Sequence, residues 1–167
     1  MENTIFIHGL ESSGEGFKGN FFRKKIPQIL TPTFKAFEPT KSISKLLNER
    51  MSQLKSILKE KNAWLLIGSS FGGLMASLYA LKNPNKVKKI ILLAPYLIYE
   101  GINPNQFSQI KIPVKIFHGK NDEIIPVKQN KEIAKTWFQN LDYKIVDDDH
   151  MLHKTVKSLN WVKLIKT

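Results

Sequence analysis

The chain has 167 residues, of which 42% are hydrophobic, so it is long enough and apolar enough to bury the core of one domain. It has no cysteine, which excludes disulfides, thiolate metal sites and a cysteine nucleophile. The formal net charge is +12, but only Arg23 and Arg50 among the 26 basic residues are arginines, the type that favours nucleic-acid readout. The lysines are scattered, which predicts a solvated surface and no nucleic-acid site; attraction to an acidic partner is the alternative.

The amino-terminal sequence MENTIFIHGL lacks the basic start and long apolar run of a secretory signal. No run of about 20 apolar residues occurs, so no membrane span is expected. We therefore expect a single cytoplasmic domain over residues 1–167, as a monomer or small homo-oligomer.

Short apolar runs alternate with amphipathic segments, which predicts an α/β fold with a parallel sheet between two helical layers. Six strands are predicted in chain order, at residues 4–8, 29–37, 63–67, 87–93, 114–118 and 143–146. The second is the weakest because it contains Pro32, which cannot donate a hydrogen bond. Helices are predicted between and after the strands, at residues 18–26, 43–59, 70–82, 127–138 and 153–164.

The third predicted strand runs into GSSFG, residues 68–72, which matches the G-x-S-x-G pattern of a nucleophile turn between a strand and a helix. A side chain in so sharp a turn needs small residues two positions before and after it. Ser70 has Gly68 and Gly72 there, whereas Ser69 would face Ile67 and Phe71. Ser70 is therefore the candidate nucleophile, the alternative being a glycine-rich turn without chemistry.

A serine nucleophile needs a base, and the base needs an acid to orient it. Asp122 follows the fifth predicted strand and His150 follows the sixth, which gives the chain order Ser, Asp, His typical of hydrolase sheets. Glu123 is the alternative acid, and His153 is the alternative base although it falls within the last predicted helix. The neighbouring aspartates 147–149 are interpreted as a solvated acidic loop.

The first predicted strand ends in a glycine-rich loop, HGLESSGEG, at the same edge of the sheet. Acyl transfer requires hydrogen-bond donors for the oxyanion that develops in the transition state. The backbone N–H groups of Leu10, in this loop, and of Phe71, at a helix N-terminus, are the expected pair. His8 is expected to support this loop, and His118 to pack or hydrogen-bond locally.

Four segments, IFIHGLESS, LIGSSFGG, IFHGKNDEIIP and DDDHML, occur in this order over nearly the whole chain. In them the chain resembles the α/β-hydrolase superfamily, most of all its small lidless esterase-like members related to the YqiA-type esterases and the retinoblastoma-binding serine hydrolase group. The resemblance implies the same nucleophile, acid, base and oxyanion donors, and it requires no metal or cofactor.

Two departures from larger members of that superfamily shape the expected fold. The first predicted strand is already the one that precedes the glycine-rich loop, so about six strands in the order 2-1-3-4-5-6 are expected. Residues 94–113 are too short for a helical cap. Aromatic and apolar side chains in this segment either line one wall of the site or cover the sheet edge, the candidates for the wall being Tyr96, Leu97, Tyr99 and Phe107.

The sequence therefore predicts a serine hydrolase acting on a small or accessible carboxylic ester or thioester. The alternative is a hydrolase-fold binding module with little turnover, whose excess of lysine recruits an acidic protein or carrier.

Overall fold

A computed structural model of the chain describes residues 3–166. Its centre is a parallel sheet of five strands whose order across the sheet is the order along the chain. The strands are β1 (Asn3–Ile7), β2 (Trp64–Ser69), β3 (Val87–Leu93), β4 (Val114–Gly119) and β5 (Leu141–Val146). The first four strands are apolar and mostly buried, as expected for strands covered on both faces, whereas β5 lies at the edge of the sheet and is only partly buried.

Six α-helices among the described residues cover the sheet, and two of them have a clear local start signal. They are α1 (Phe17–Lys25), α2 (Ile43–Leu58), α3 (Phe71–Lys82), α4 (Val127–Trp137), α5 (His153–Ser158) and α6 (Trp161–Lys166). Helix α2 begins where the Ser42 side chain accepts a hydrogen bond from the Lys45 N–H, and α4 begins directly after Pro126. Within residues 3–166, no helix has the length and apolar character needed to cross a membrane.

Alternate residues of each strand point to opposite faces of the sheet and form two separate cores. Ile5 and Leu66 pack with α2, α3 and α4 on one face, whereas Phe6 and Leu65 pack with α1, α5 and α6 on the other. The predicted three-layer α/β/α sandwich is therefore confirmed.

The predicted second strand, residues 29–37, is not a strand. Leu30 forms an isolated parallel bridge with Ile5, through hydrogen bonds to the backbone of Phe6 and Thr4, and pairing stops there. Pro32 has no N–H to donate. The following N–H groups bond side chains instead, with Phe34 donating to His8 Nε2 (2.9 Å) and Lys35 to Gln53 Oε1 (2.8 Å). The sheet consequently has five strands and not about six, although this segment flanks β1 on the expected side.

The prediction of one continuous helix over residues 153–164 is also wrong, because this segment is divided into α5 and α6. Helix α5 ends at Ser158, and the side chain of Asn160 then accepts a hydrogen bond from the Lys163 N–H at 3.0 Å. An asparagine that bonds a backbone N–H three residues later is a typical helix start, and it competes here with continuation of α5.

The connection from β3 to β4 carries only a short 3-10 helix, Pro104–Gln106. No cap domain occurs within residues 3–166. The carboxyl ends of the strands are thus open to solvent.

Arg50 is a fully buried cation on α2 that links this helix to two loops. Its guanidinium donates hydrogen bonds to the carbonyl oxygens of Lys35 (2.8 Å), Gly9 (3.2 Å) and Leu10 (2.8 Å), and it lies 5.5 Å from the centre of the Phe71 ring. Burial lowers the pKa of Arg50 to about 10, so the group stays charged at neutral pH. One side chain therefore fixes the loop after β1 against the start of α3.

Replacing Arg50 with Met should lower the free energy of unfolding by at least about 2 kcal/mol, because the carbonyl oxygens of Lys35 and Leu10 lose the Arg50 donor and that of Gly9 loses one of its donors. Urea unfolding followed by circular dichroism measures the change. Lys55→Met, on an exposed position of the same helix, is the matched control and should change stability little. Equal effects of the two substitutions would show that Arg50 does not hold these loops.

Candidate active site

Ser70, Asp122 and His150 come from three separate loops that meet at the carboxyl edge of the sheet. Ser70 lies between β2 and α3, Asp122 follows β4, and His150 follows β5. The carboxyl ends of parallel strands in α/β proteins are the usual place for ligand sites, because the connecting loops converge there.

The turn at Ser70 is strained and tightly packed. Ser70 has φ 52° and ψ −114°, which is unfavourable for a residue with a Cβ atom. A Cβ on Gly68 would lie 2.6 Å from the Gly72 carbonyl oxygen, and a Cβ on Gly72 would overlap the carbonyl oxygens of Ile7 and His8. Glycine at both positions is therefore needed for α3 to begin directly against β1.

The three side chains form a continuous set of hydrogen bonds. His150 Nε2 lies 3.2 Å from Ser70 Oγ, and His150 Nδ1 lies 2.7 Å from Asp122 Oδ2. Because the carboxylate accepts the Nδ1 proton, Nε2 is left as an acceptor for the serine hydroxyl. Neither Glu123 nor His153 makes a hydrogen bond to this set in the described part of the chain.

Asp122 is held as an anion by its neighbours, although its side chain is fully buried. Burial would raise the pKa of this carboxyl group. The hydrogen bonds from the Ile125 N–H (2.8 Å), from His150 and from the Ile124 N–H (2.8 Å) outweigh burial and lower the pKa. The backbone of the loop after β4 thus stabilises the charge that orients His150.

A buried polar chain continues behind Asp122. His118 Nε2, at the end of β4, donates to Asp122 Oδ2 and to the Ile125 carbonyl oxygen, both at 3.1 Å. His118 Nδ1 accepts a hydrogen bond from the Tyr143 hydroxyl on β5. That hydroxyl in turn accepts one from Asn130 Nδ2 on α4 at 3.1 Å. The acid is therefore fixed to β4, β5 and α4 together.

His118 serves in this chain as a neutral group. It is fully buried, and burial lowers its pKa more than the Asp122 carboxylate raises it. The sequence predicts that His118 packs or hydrogen-bonds locally, which its bond to Asp122 agrees with, but it does not predict the roles of Tyr143 and Asn130. The position of His118 four residues before Asp122 was the available signal, whereas nothing in the sequence links Tyr143 or Asn130 to the acid.

Two backbone N–H groups lie at the cleft that contains Ser70, one from the loop after β1 and one from the start of α3. Leu10 and Phe71 both line the cleft that contains the serine. Among residues 3–166, neither of their N–H groups has a hydrogen-bond acceptor. His8 Nδ1 donates to the Gly9 carbonyl oxygen at 2.7 Å, which adds to the hold of Arg50 on this loop. The structure brings together the two amides that the sequence predicts as oxyanion donors.

The cleft above Ser70 has a volume of about 760 Å³ and is mostly apolar. Tyr96 and Tyr99 line it and meet edge to face, with ring centres 6.1 Å apart. The expectation that Leu97 lines it is wrong. The Leu97 side chain is in the core at 1% exposure, because its backbone N–H is anchored to Asn130 Oδ1 at 3.0 Å. Phe107 packs edge to face on Trp137 instead.

The aspartates before His150 are not simply a solvated loop. Asp148 Oδ2 accepts hydrogen bonds from the Thr155 N–H (2.8 Å) and hydroxyl (2.7 Å), and Asp149 Oδ1 accepts from the Met151 N–H at 2.9 Å. Asp147 is exposed and makes no such backbone contact, pairing with Lys120 at 3.1 Å. Two of the three carboxylates therefore shape the loop that carries His150.

Gly72→Ala should lower the free energy of unfolding by at least about 3 kcal/mol, because the added methyl group meets backbone atoms that cannot move independently. Gly9→Ala is the control, since its added Cβ would lie 3.6 Å from its nearest neighbours. Urea unfolding of both variants measures the difference. A cost for Gly72→Ala no larger than that for Gly9→Ala would contradict the tight turn.

Tyr143→Phe should cost about 1–3 kcal/mol of stability, because it leaves His118 Nδ1 without a donor and Asn130 Nδ2 without an acceptor. Tyr99→Phe is a matched control, as the Tyr99 hydroxyl makes no hydrogen bond within residues 3–166. Thermal and urea unfolding compare the two. If both substitutions are neutral, the polar chain does not contribute to stability.

Known proteins share both the sequence pattern and the fold. Residues 34–161 match the model of the Phospholipase/Carboxylesterase family. The chain is also similar to the alpha/beta hydrolase L404 of Acanthamoeba polyphaga mimivirus, with 39% identity over 90 residues. That match covers 46% of this chain and 34% of the viral protein, so the chain spans about a third of the length of this relative.

Solved structures agree over nearly the whole chain. Mouse alpha/beta hydrolase domain-containing protein 10 superposes with a TM-score of 0.73 at 18% identity, covering 99% of this chain and 90% of the mouse chain. Est1E from Butyrivibrio proteoclasticus, with ferulic acid bound, superposes with a TM-score of 0.74 at 15% identity, covering 100% of this chain and 90% of the Est1E chain. The Bacillus cereus carboxylesterase superposes with a TM-score of 0.74 at 17% identity, covering 98% of this chain and 88% of the carboxylesterase chain. At these identities the TM-scores show a shared fold alone, and the family match over residues 34–161 shows the sequence relationship, so this chain belongs to the phospholipase/carboxylesterase family of α/β hydrolases.

Proposed function

We propose that this protein is a serine hydrolase that cleaves a small or accessible carboxylic ester or thioester. One observation carries the proposal. Ser70 Oγ, His150 and Asp122 are connected by hydrogen bonds of 3.2 and 2.7 Å at a cleft where two backbone N–H groups lack acceptors within residues 3–166. This combination supplies a nucleophile, a base, an orienting acid and anion donors at one place.

In the acylation step, Ser70 Oγ attacks the acyl carbon and its proton passes to His150 Nε2. The oxygen of the tetrahedral intermediate lies between the N–H groups of Leu10 and Phe71, where the helix dipole of α3 adds to the stabilisation. His150 then gives its proton to the departing alcohol or thiol. Asp122 stays ionised and stabilises the imidazolium.

In the deacylation step, a water molecule replaces the leaving group. His150 Nε2 accepts a proton from this water as its oxygen attacks the acyl carbon, and the proton then returns to Ser70 Oγ as the carboxylic acid departs. The open edge of the sheet suits an acyl group that is small or presented on an accessible carrier.

Ser70→Ala should lower kcat/KM for 4-nitrophenyl acetate and butyrate by about 10⁴-fold or more, since the nucleophile is lost. Ser69→Ala is the matched control, because it removes the adjacent hydroxyl and leaves the proposed set intact. Its activity should stay close to that of the wild type. Wild-type activity in Ser70→Ala, or equal loss in both variants, would contradict the assignment.

A fluorophosphonate probe distinguishes this hydrolase from a hydrolase-fold binding module. The proposal requires that Ser70 be labelled in the folded wild type and that His150→Ala abolish the labelling. Folded protein that does not react with the probe would favour the binding module.

A further inference from the structure

Lys18 occupies an unusual place in the wall of the cleft. It lies in the first turn of α1 and lines the cleft together with Phe17, Met151 and His153. The rings of Phe17 and His153 meet at a tilt of 35° with centres 4.1 Å apart, so this wall joins α1 to α5. Among residues 3–166, the only other non-histidine charged side chain of the lining is Glu11, which is exposed and screened by solvent.

The Lys18 ammonium has no direct counter-ion. Within residues 3–166, it makes no hydrogen bond and no ion pair within 4 Å. The nearby carboxylates of Asp148 and Asp149 act on it only at longer range, and both already accept hydrogen bonds from the backbone of the His150 loop and α5. The cation is thus half-buried, without a direct counter-ion among the described residues, in the cleft that also contains the proposed nucleophile.

Burial lowers the pKa of Lys18 to about 8, although the negative charges of these two aspartates act to raise it. The ammonium is therefore the main form at neutral pH, but it has lost part of its hydration. An anion that entered the cleft would compensate this lost hydration, and one ammonium matches one negative charge.

We infer that Lys18 binds a carboxylate carried by the substrate, so that the preferred substrates are monoanionic esters or thioesters. This inference rests on the proposed function and adds a substrate class to it. The mostly apolar lining fits the hydrocarbon part of such a substrate, and Lys18 fits its charged end. The carboxylate belongs either to the acyl group or to the leaving group.

Two substrate pairs distinguish these sources of the carboxylate. Mono-4-nitrophenyl adipate and its methyl ester carry or lack the charge on the acyl side, whereas 4-acetoxybenzoate and its methyl ester carry or lack it on the leaving-group side. In at least one pair, Lys18→Met should lower kcat/KM for the anionic member about tenfold or more and change the neutral member less than about twofold. Lys18→Arg should retain the preference because it retains the charge.

Lys157→Met is the matched control, since Lys157 is an exposed residue of α5 whose ammonium lies 5.5 Å from the centre of the Phe17 ring. It should leave the ratio between anionic and neutral esters unchanged. A Lys18→Met variant that loses activity equally on charged and neutral esters, or that keeps the wild-type ratio in both pairs, would overturn the inference.

Binding without turnover separates this inference from the proposed function. Calorimetric titration of monomethyl adipate and dimethyl adipate into Ser70→Ala, with and without Lys18→Met, should show weaker binding of the anion only when Lys18 is replaced. Hydrolysis that depends on Ser70 but shows no preference between anionic and neutral esters would overturn the role of Lys18 and leave the proposed function in place. If monomethyl adipate binds through Lys18 but no ester is hydrolysed, the role of Lys18 in binding stands and the proposed function is overturned.

Discussion

The direct contact between the start of α3 and the end of β1 is the constraint on which the rest of the site depends. Gly72 lies so close to the carbonyl oxygens of Ile7 and His8 that no side chain fits between them. This contact forces the positive φ of Ser70 and places Phe71 beside the loop that contains Leu10. The positions of Ser70 and of the Phe71 amide therefore depend on this one packing contact, next to the loop that contains Leu10.

Buried polar side chains then fix the loops around this contact. Arg50 and His8 hold the loop after β1, and His118 holds Asp122 from behind. Burial lowers the pKa of both histidines, so they serve as neutral hydrogen-bonding groups. Among residues 3–166, no buried side-chain nitrogen or oxygen lacks a hydrogen-bond partner, so this rigidity is obtained without leaving an unsatisfied group.

Much of the architecture could be predicted because it depends on local patterns. Five of the six predicted strands and the place of Ser70 follow from apolar runs and glycine spacing, and the structure contains them. The failed strand at residues 29–37 has the composition of a strand, but side chains distant in sequence, such as His8 and Gln53, take its N–H groups. For the same reason Arg50, Tyr143 and Lys18 gave no signal, since their roles depend on partners 13 to 131 positions away that only the folded chain brings together.

The wall that contains Lys18 is built from parts that are far apart in the chain. Helix α1 is held there by Phe22, whose ring meets Trp161 of α6 edge to face at 4.6 Å, and Phe17 meets His153 of α5. Protein synthesis proceeds from the amino terminus, so all five strands emerge from the ribosome before α5 and α6. Ser70 and Asp122 are therefore synthesised before His150 and before the two helices that hold one side of the cleft. The cleft is complete only once the segment that includes Trp161 has been made.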